Sequence, residues 1–134
     1  MTGSRCRCHS RRQARRCCEP LHQGKPAPTA EALMRSRYAA YALGLVDYVV
    51  ATTDPDGPQW HADVDAWRAD VARFCRDTRF VDLRIDDAPP PDGDVAHVTF
   101  TATLTRGGAD ASFTERSRFV RRDGRWLYHS GEPG

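Results

Sequence analysis

The stretch VAHVTFTATLTRGGADASFTERSRFVRRDGRWLYH, residues 95 to 129, decides the fold class of this chain. Apolar and polar side chains alternate along residues 95 to 106, 111 to 122 and 125 to 129, and a period of two predicts β-strands. Gly107-Gly108 and Asp123-Gly124 separate these runs, and such pairs favour two-residue hairpin turns. We therefore expect the three strands to form an antiparallel meander.

Upstream of this stretch the spacing of apolar residues becomes helical. Thr29 is a good N-cap and Gly44 a good helix terminator, so a first helix is expected between them. A short second helix is expected over residues 45 to 52, a third over residues 62 to 77, and a further strand over residues 80 to 86. Helices followed by an antiparallel sheet predict an α+β domain whose curved sheet packs against the helices. The apolar stripes are Leu33, Met34, Tyr38, Tyr41, Ala42 and Leu45 in the first helix, and Val64, Trp67, Val71, Phe74 and Cys75 in the third.

Charge divides the chain into two unlike parts. Its 134 residues suffice for one ordinary domain with a small appendage. Residues 1 to 28 contain seven basic residues and one acidic residue, so the remainder is net negative, because the whole chain carries +2.

No apolar run approaches the roughly 20 residues that span a bilayer, and none follows the basic N-terminus as a signal peptide requires. We expect a cytoplasmic protein without membrane association.

Four of the five cysteines, Cys6, Cys8, Cys17 and Cys18, lie close together in the basic segment. Four thiolates can complete a closed tetrahedral zinc site, and this segment has almost no apolar side chains with which to fold otherwise. Neighbouring residues of a strand point to opposite faces, so Cys17 and Cys18 need a turn or a helix start to bind one ion. Two alternatives stay open: an unstructured arginine-rich tail, and a disulfide, which a reducing compartment disfavours.

The cysteine spacing and four further blocks resemble known bacterial proteins. Cys-x-Cys, eight residues and Cys-Cys resembles the SEC-C motif, found at the C-terminus of the SecA translocation ATPase and in many small bacterial proteins. The blocks CCEPLH (17 to 22), PTAEALMRSRYAAYALG (28 to 44), ERSRFV (115 to 120) and DGRWLY (123 to 128) are similar to the YchJ-type bacterial family. This resemblance spans nearly the whole chain.

The resemblance implies two parts: a SEC-C-like zinc-binding segment and linker over residues 1 to 28, and a nuclear-transport-factor-2-like (NTF2-like) α+β domain over residues 29 to 134. It implies structural zinc on the four cysteines and no established activity. The motif usually reads Cys-Pro-Cys-Gly-Ser, whereas Arg7 and His9 stand here in place of Pro and Gly, which removes preset turn geometry. Because the SecA motif contacts protein partners and the ribosome, the resemblance also implies a binding or adaptor module.

Arg11, Arg12, Arg15 and Arg16 form a candidate basic contact surface beside the cysteines. Such a concentration of charge can neutralise phosphates and bind RNA or a ribosome, and a protein partner is the other alternative. No aromatic residue interleaves the arginines to stack a base. A solvated face that compensates zinc-bound thiolates therefore explains the same pattern.

Strand parity predicts a pocket in the main domain. Phe113, Glu115, Ser117 and Phe119 share one face of their strand, so inward phenylalanines bring Glu115 and Ser117 inward too. A buried carboxylate needs a partner, and Arg37 on the first helix is the candidate. The structural interpretation is a Glu115 to Arg37 ion pair that fixes helix against sheet.

The functional interpretation is a ligand pocket between sheet and helices, in which Tyr38, Tyr41 and Glu115 supply polar groups. An enzyme or small-molecule binder using this pocket is thus the alternative to the adaptor. No catalytic triad, phosphate loop or dinucleotide fingerprint is present, so no catalytic residue is assigned and the question of enzyme activity stays open. Arg116 and Arg118 point outward or into a homodimer interface through the sheet, which leaves monomer and homodimer as alternatives.

Overall fold

The computed structural model describes residues 4 to 134, and the first three residues of the predicted 1 to 28 segment lie outside that range. The described chain begins with a small cysteine-bearing hairpin and continues as helices followed by an antiparallel sheet, as predicted. The elements are a 3-10 turn at Ala14–Arg16, helices α1 (Glu19–His22), α2 (Ala30–Leu43), α3 (Val46–Ala51) and α4 (Val64–Asp77), and strands β1 (Thr78–Asp87), β2 (Val95–Arg106), β3 (Ala109–Asp110), β4 (Phe113–Arg122) and β5 (Arg125–Pro133).

The sheet has the order β1-β2-β4-β5, with every described pair antiparallel. Both predicted hairpin turns are present: Gly107 and Gly108 have φ values of 59° and 80°, and Asp123 and Gly124 have 52° and 76°. Positive φ at both central residues matches the right-handed twist of the strands that such turns join. The chain departs from the prediction after Gly108, because the two-residue strand β3 pairs back onto β2 before β4 starts at Phe113.

One face of the sheet packs on α2 and forms the main core. The inward residues of β2 alternate with outward ones as predicted, and Val98, Phe100, Ala102 and Leu104 are all buried. A second cluster joins α2, α3 and α4 around Trp67, which is buried there as expected. Cys75 is half-buried at the edge of this second cluster, far in sequence from the other cysteines.

Helix α2 is enclosed on nearly all sides. The Thr29 side chain accepts a hydrogen bond of 3.0 Å from the Ala32 amide, and Gly44 ends the helix in the left-handed region with φ 75°. Only Leu43 within the helix is exposed. Leu45, predicted to continue the buried stripe, is 37% exposed because the chain turns away after Gly44.

Residues 19 to 28, which join the cysteines to α2, begin with the single helical turn α1. Leu21 of this turn is buried in the main core, and the His22 ring nitrogen Nε2 lies 2.8 Å from the Ser36 carbonyl oxygen of α2. The N-terminal segment is therefore packed against the helix layer. Within residues 4 to 134 no helix has the length and apolar character needed to cross a bilayer.

Candidate functional site

A short hairpin and a 3-10 turn bring the four N-terminal cysteines together. The Cys6 amide donates to the Arg12 carbonyl at 2.8 Å, which closes the hairpin that carries Cys6 and Cys8. Cys17 follows the 3-10 turn and Cys18 is the N-cap of α1, so the predicted turn or helix start is present at the adjacent pair. The backbone thus returns the second pair of thiols to the first.

The four sulfur atoms have the spacing of a metal site. Their Sγ atoms all lie within 4.8 Å of one another, with 3.6 Å between Cys8 and Cys17 and 3.8 Å between Cys17 and Cys18. A tetrahedron with metal–sulfur bonds of 2.3 Å has sulfur–sulfur edges of about 3.8 Å. The same distances exceed the roughly 2.05 Å of a disulfide, and all four thiols are unbridged. These four cysteines can hold a metal ion.

The thiols of the cluster shift one another's pKa values in opposite directions. Hydrogen bonds from the Cys18 and Cys6 thiols hold the pKa of Cys8 well below its ordinary range. Hydrogen bonds to Cys6 and Cys8, together with burial, raise the pKa of Cys18 far above it. The Cys8 thiolate is therefore favoured over those of Cys6 and Cys18, whereas a divalent cation at the centre would favour ionisation of the thiols that bind it.

Helix α2 supports the cysteine segment directly. Arg35 donates from Nη1 to the Cys8 carbonyl at 3.2 Å, and Ala39 is fully buried against the cysteines. His9, which occupies the position of the usual Gly, has φ 62° and therefore adopts the left-handed conformation that Gly adopts without strain. Its ring packs edge-on against Tyr38 with centroids 5.8 Å apart. The backbone turn survives the replacement of Gly by His.

The four predicted contact arginines are exposed but do not form one uniform patch. Arg12 and Arg16 line a groove of about 550 Å³ between the cysteine segment and α2, together with Lys25 and Arg35. Arg11 and Arg15 lie outside this groove, and Arg15 hydrogen-bonds Gln13 at 3.2 Å. The groove therefore concentrates basic groups from both the segment and the helix.

A cavity of about 220 Å³ lies between the sheet and the helices, and the five predicted pocket residues, Arg37, Tyr38, Tyr41, Glu115 and Ser117, all line it. Aromatic rings make up most of the rest of its wall: Phe74, Phe80, Phe100, Phe113, Phe119 and Tyr128. Phe113 is 43% exposed, which places it at the rim. The alternation of side chains thus correctly predicted which face of β4 points toward the helices.

Glu115 is held in this cavity by hydroxyl groups. Ser117 donates to Glu115 Oε2 at 2.5 Å, and the Tyr128 hydroxyl donates to the same oxygen at 3.2 Å. Burial, followed by the charge of Glu115, raises the pKa of Tyr128, which keeps this hydroxyl protonated and able to donate. The carboxyl group lies directly over Gly131, where an added Cβ would approach it to 2.3 Å.

The predicted ion pair between Arg37 and Glu115 is wrong. Arg37 Nη1 lies 2.9 Å from the Val49 carbonyl oxygen, 2.8 Å from Thr52 Oγ1 and 3.2 Å from Thr53 Oγ1, at the end of α3. Its guanidinium stacks on the Tyr128 ring at 4.6 Å. A helix C-terminus attracts positive charge, so Arg37 is compensated there and not by the carboxylate. Within residues 4 to 134, no basic side chain pairs with Glu115.

The tyrosine hydroxyls differ from the prediction in two ways. The Tyr38 hydroxyl donates to the Asp82 carbonyl at 3.0 Å, so its ring, not its polar end, faces the cavity wall. Tyr128 is absent from the pocket residues expected from the sequence, yet it contacts both charged groups of the cavity. Its pairing with Arg37 depends on contacts between β5 and α3 that no local pattern encodes.

An NTF2-like α+β domain, preceded by a segment whose four cysteines could hold a metal ion, is the class of protein that this fold and site define. The family model of the YchJ middle NTF2-like domain matches residues 29–131, and the chain belongs to this family. Both findings agree with the resemblance drawn from the sequence blocks.

Solved structures extend the similarity to the N-terminal segment. The chain is 36% identical to a SEC-C motif containing protein from Rhodopseudomonas palustris, over 98% of this chain and 99% of that one, with a TM-score of 0.83. A SEC-C motif containing protein from Psychrobacter arcticus is 23% identical, over 100% and 84% of the two chains, with a TM-score of 0.78. An NTF2-like protein of unknown function from Shewanella oneidensis shares the fold at 14% identity, over 74% and 90%, with a TM-score of 0.54.

Proposed function

We propose that this protein is a zinc-stabilised binding module whose basic N-terminal surface contacts a macromolecule. The observation that carries the proposal is the placement of four cysteine sulfurs at tetrahedral spacing within a segment that also bears exposed arginines. Thiolate-rich tetrahedral sites favour zinc among the available divalent metals. Reduced thiols require a reducing compartment, so we assign the protein to the cytoplasm.

The zinc ion would act structurally. All four positions of a tetrahedral site would be occupied by Cys6, Cys8, Cys17 and Cys18, which leaves none for water or substrate. Its contribution is to fix the hairpin and the 3-10 turn, from which the arginines project. Arg35 and the Cys8 carbonyl then connect this centre to α2.

RNA phosphates are the contact that the charges favour. Arg12, Arg16 and Lys25 line one groove, in which Arg35 is already paired with Glu31 at 3.1 Å, so a nucleic-acid backbone following the groove would meet three further cations. Among residues 4 to 134, none that lines the groove is aromatic and could stack on a base, which favours backbone contacts over base recognition. A protein partner with an acidic surface is the alternative outcome of the binding experiment.

Native mass spectrometry of protein purified without added zinc tests the metal. We expect a mass increase of one zinc ion and protection of the four N-terminal thiols from alkylation, while Cys75 serves as the internal control. An apo mass with all four thiols freely alkylated would refute the metal site. A different metal bound to the same thiols would refute the choice of zinc but not the metal site.

Salt-dependent binding to a single-stranded RNA tests the contact surface. Replacing Arg12 and Arg16 by Gln is expected to reduce the slope of log affinity against log salt by about 1.4, at roughly 0.7 per phosphate contact. The matched control replaces Arg73 and Arg76 on α4, which are exposed but lie outside the groove. Equal slopes in both double variants, or RNA binding insensitive to salt, would contradict phosphate contacts.

The second candidate function is small-molecule binding in the cavity of the NTF2-like domain. The observation that favours it is the Glu115 carboxylate, which enters an aromatic-lined space without a basic partner within residues 4 to 134. Glu115 is half-buried, and a carboxylate withdrawn from water for a purely structural role would normally have a compensating cation beside it. The two functions use different surfaces and do not exclude each other.

A further inference from the structure

Glu115 offers one oxygen atom to the cavity. Both described hydroxyl donors, from Ser117 and Tyr128, bind its Oε2 atom. Within residues 4 to 134, Oε1 has no hydrogen-bond partner. A carboxylate with one satisfied oxygen and one oxygen available can accept a hydrogen bond from a ligand, and a charged donor makes that bond stronger.

The nearest positive charge is directed elsewhere. Arg37 uses Nη1 to bind the last turn of α3, and its planar face is covered by the Tyr128 ring. It therefore does not neutralise Glu115 by direct contact, and its guanidinium group is held at the end of α3. Arg37 likewise has no ion-pair partner within the part of the chain described, but its Nη1 atom binds the end of α3, whereas Glu115 Oε1 accepts no hydrogen bond there.

The rest of the wall suits an organic cation with an apolar body. Eight aromatic side chains line the cavity, and the faces of aromatic rings attract ammonium groups as well as hydrocarbon. Phe100 and Phe113 pack edge to face at 5.8 Å near the rim, so a flat ring can pack beside them. An anionic ligand would be repelled by Glu115, and a purely apolar one would leave Oε1 without a donor.

The volume limits the ligand to a small molecule. A cavity of about 150 Å³ in another protein holds benzene, so 220 Å³ accommodates one ring with a short side chain, about nine non-hydrogen atoms in all. Gln59 lines the same cavity and adds a neutral polar group to its wall.

We propose that the cavity binds a small primary arylalkylamine, with its ammonium group on Glu115 Oε1 and its ring among the phenylalanines. This inference rests on the second function proposed above, that the cavity is a ligand site. Gly131 is part of this site, because a side chain at that position would displace the Glu115 carboxyl group.

Titration of the full chain with three probes of similar size tests the charge preference. The probes are 2-phenylethylamine, its neutral counterpart 2-phenylethanol, and the anion phenylacetate, followed by chemical shifts of the Met34 methyl group at the cavity wall. We expect the amine to bind at least about tenfold more tightly than the alcohol, and phenylacetate not to bind measurably. This comparison needs no variant and so does not depend on the folding of one.

The Glu115→Gln variant then assigns the preference to one residue. It should reduce amine affinity about tenfold and change alcohol affinity by less than about twofold, since the amide still accepts from Ser117 and Tyr128. Glu132→Gln is the matched control, because Glu132 lies exposed on β5 and pairs with Arg116 at 3.4 Å. The control should bind all three probes as the wild-type protein does.

The outcomes separate the two claims. Equal binding of amine and alcohol by the wild-type protein, or an unchanged amine affinity in Glu115→Gln, overturns the amine assignment while leaving the cavity as a ligand site. Failure of all three probes to shift the Met34 signal at millimolar concentration overturns the cavity function itself, and the amine inference with it. Tighter binding of phenylacetate would place the dominant charge on Arg37 instead.

Discussion

Replacement of Arg37 by Met should destabilise the fold strongly and independently of Glu115. The variant removes the guanidinium contacts to Val49 and Thr52 and its stacking on Tyr128 while keeping an unbranched side chain of similar length. Two hydrogen bonds from a charged donor contribute about 3 kcal/mol and the stacking about 1 kcal/mol. The Met variant no longer has to bury a charge, and the desolvation cost it avoids offsets part of this, so the free energy of unfolding should fall by about 2 kcal/mol.

The contacts around Arg37 explain why the loss is not local. Tyr128 and the end of α3 are also joined through the backbone, since the Tyr128 amide donates to the Thr52 carbonyl and the Asp54 amide to the Tyr128 carbonyl, both at 2.8 Å. Arg37 therefore connects α2 to both α3 and β5. For a chain of this length, 2 kcal/mol corresponds to roughly 6–8 °C in Tm.

A double-mutant cycle in urea separates this network from the ion pair expected from sequence. Glu115→Gln alone should cost less than about 1 kcal/mol, because both hydroxyl donors keep an acceptor. Combined with Arg37→Met, its effect should be additive within about 0.5 kcal/mol. A coupling above about 1.5 kcal/mol would show that the two charges stabilise each other directly and would refute the assignment of Arg37 to the α3 terminus.

Three further perturbations test other parts of the structure. Burial alone would raise the pKa of Asp54, but the hydrogen bond from the Asp56 amide and the ion pair with Arg122 outweigh it and hold the pKa below its usual 3.8. The stability that this group contributes is therefore present above its ordinary pKa and lost as pH falls. Between about pH 5 and pH 3, the free energy of unfolding measured in urea should decrease more steeply with falling pH in the wild-type protein than in Asp54→Asn. Parallel curves for the two proteins would contradict this. At φ 62°, His9→Gly should be about 1 kcal/mol more stable than His9→Ala in thermal unfolding of the metal-loaded protein, whereas equal stability would argue against a left-handed turn there. Metal removal by a chelator should increase amide hydrogen exchange in residues 4 to 28 far more than in the sheet, and uniform protection after chelation would count against metal-dependent folding of that segment.

The sheet could be predicted because its determinants are local. Alternation along β2 and β4 and the positive-φ turn residues are encoded within a few positions of each other, so the antiparallel meander of β2, β4 and β5 followed from the sequence, whereas the place of β1 beside β2 did not. The return of β3 onto β2 was missed because its two residues, Ala109 and Asp110, are too few to show a period. Likewise the cysteines were identified as a set because four ligands in one short segment can meet without any long-range contact.

The cavity was predicted only in part, since parity gives a direction and not a position. It placed Glu115 and Ser117 on the inward face, but it could not show how far along the cavity Arg37 lies from them. The actual partners of Arg37 come from α3, whose packing against α2 depends on the turn at Gly44. The role of Tyr128 depends on the same tertiary arrangement, so residue type and spacing left it indistinguishable from a core aromatic residue.

The enclosure of α2 changes what should count as an autonomous folding unit. A chain cut just before Thr29 would retain the complete NTF2-like pattern, yet it would uncover Ser36 and Ala39, which are fully buried against α1 and the cysteines. Such a fragment would expose a surface along α2 that is buried in the full chain, and it would be prone to self-association. Substitutions that are harmless at one face of an ordinary amphipathic helix should be poorly tolerated around almost the whole circumference of this one.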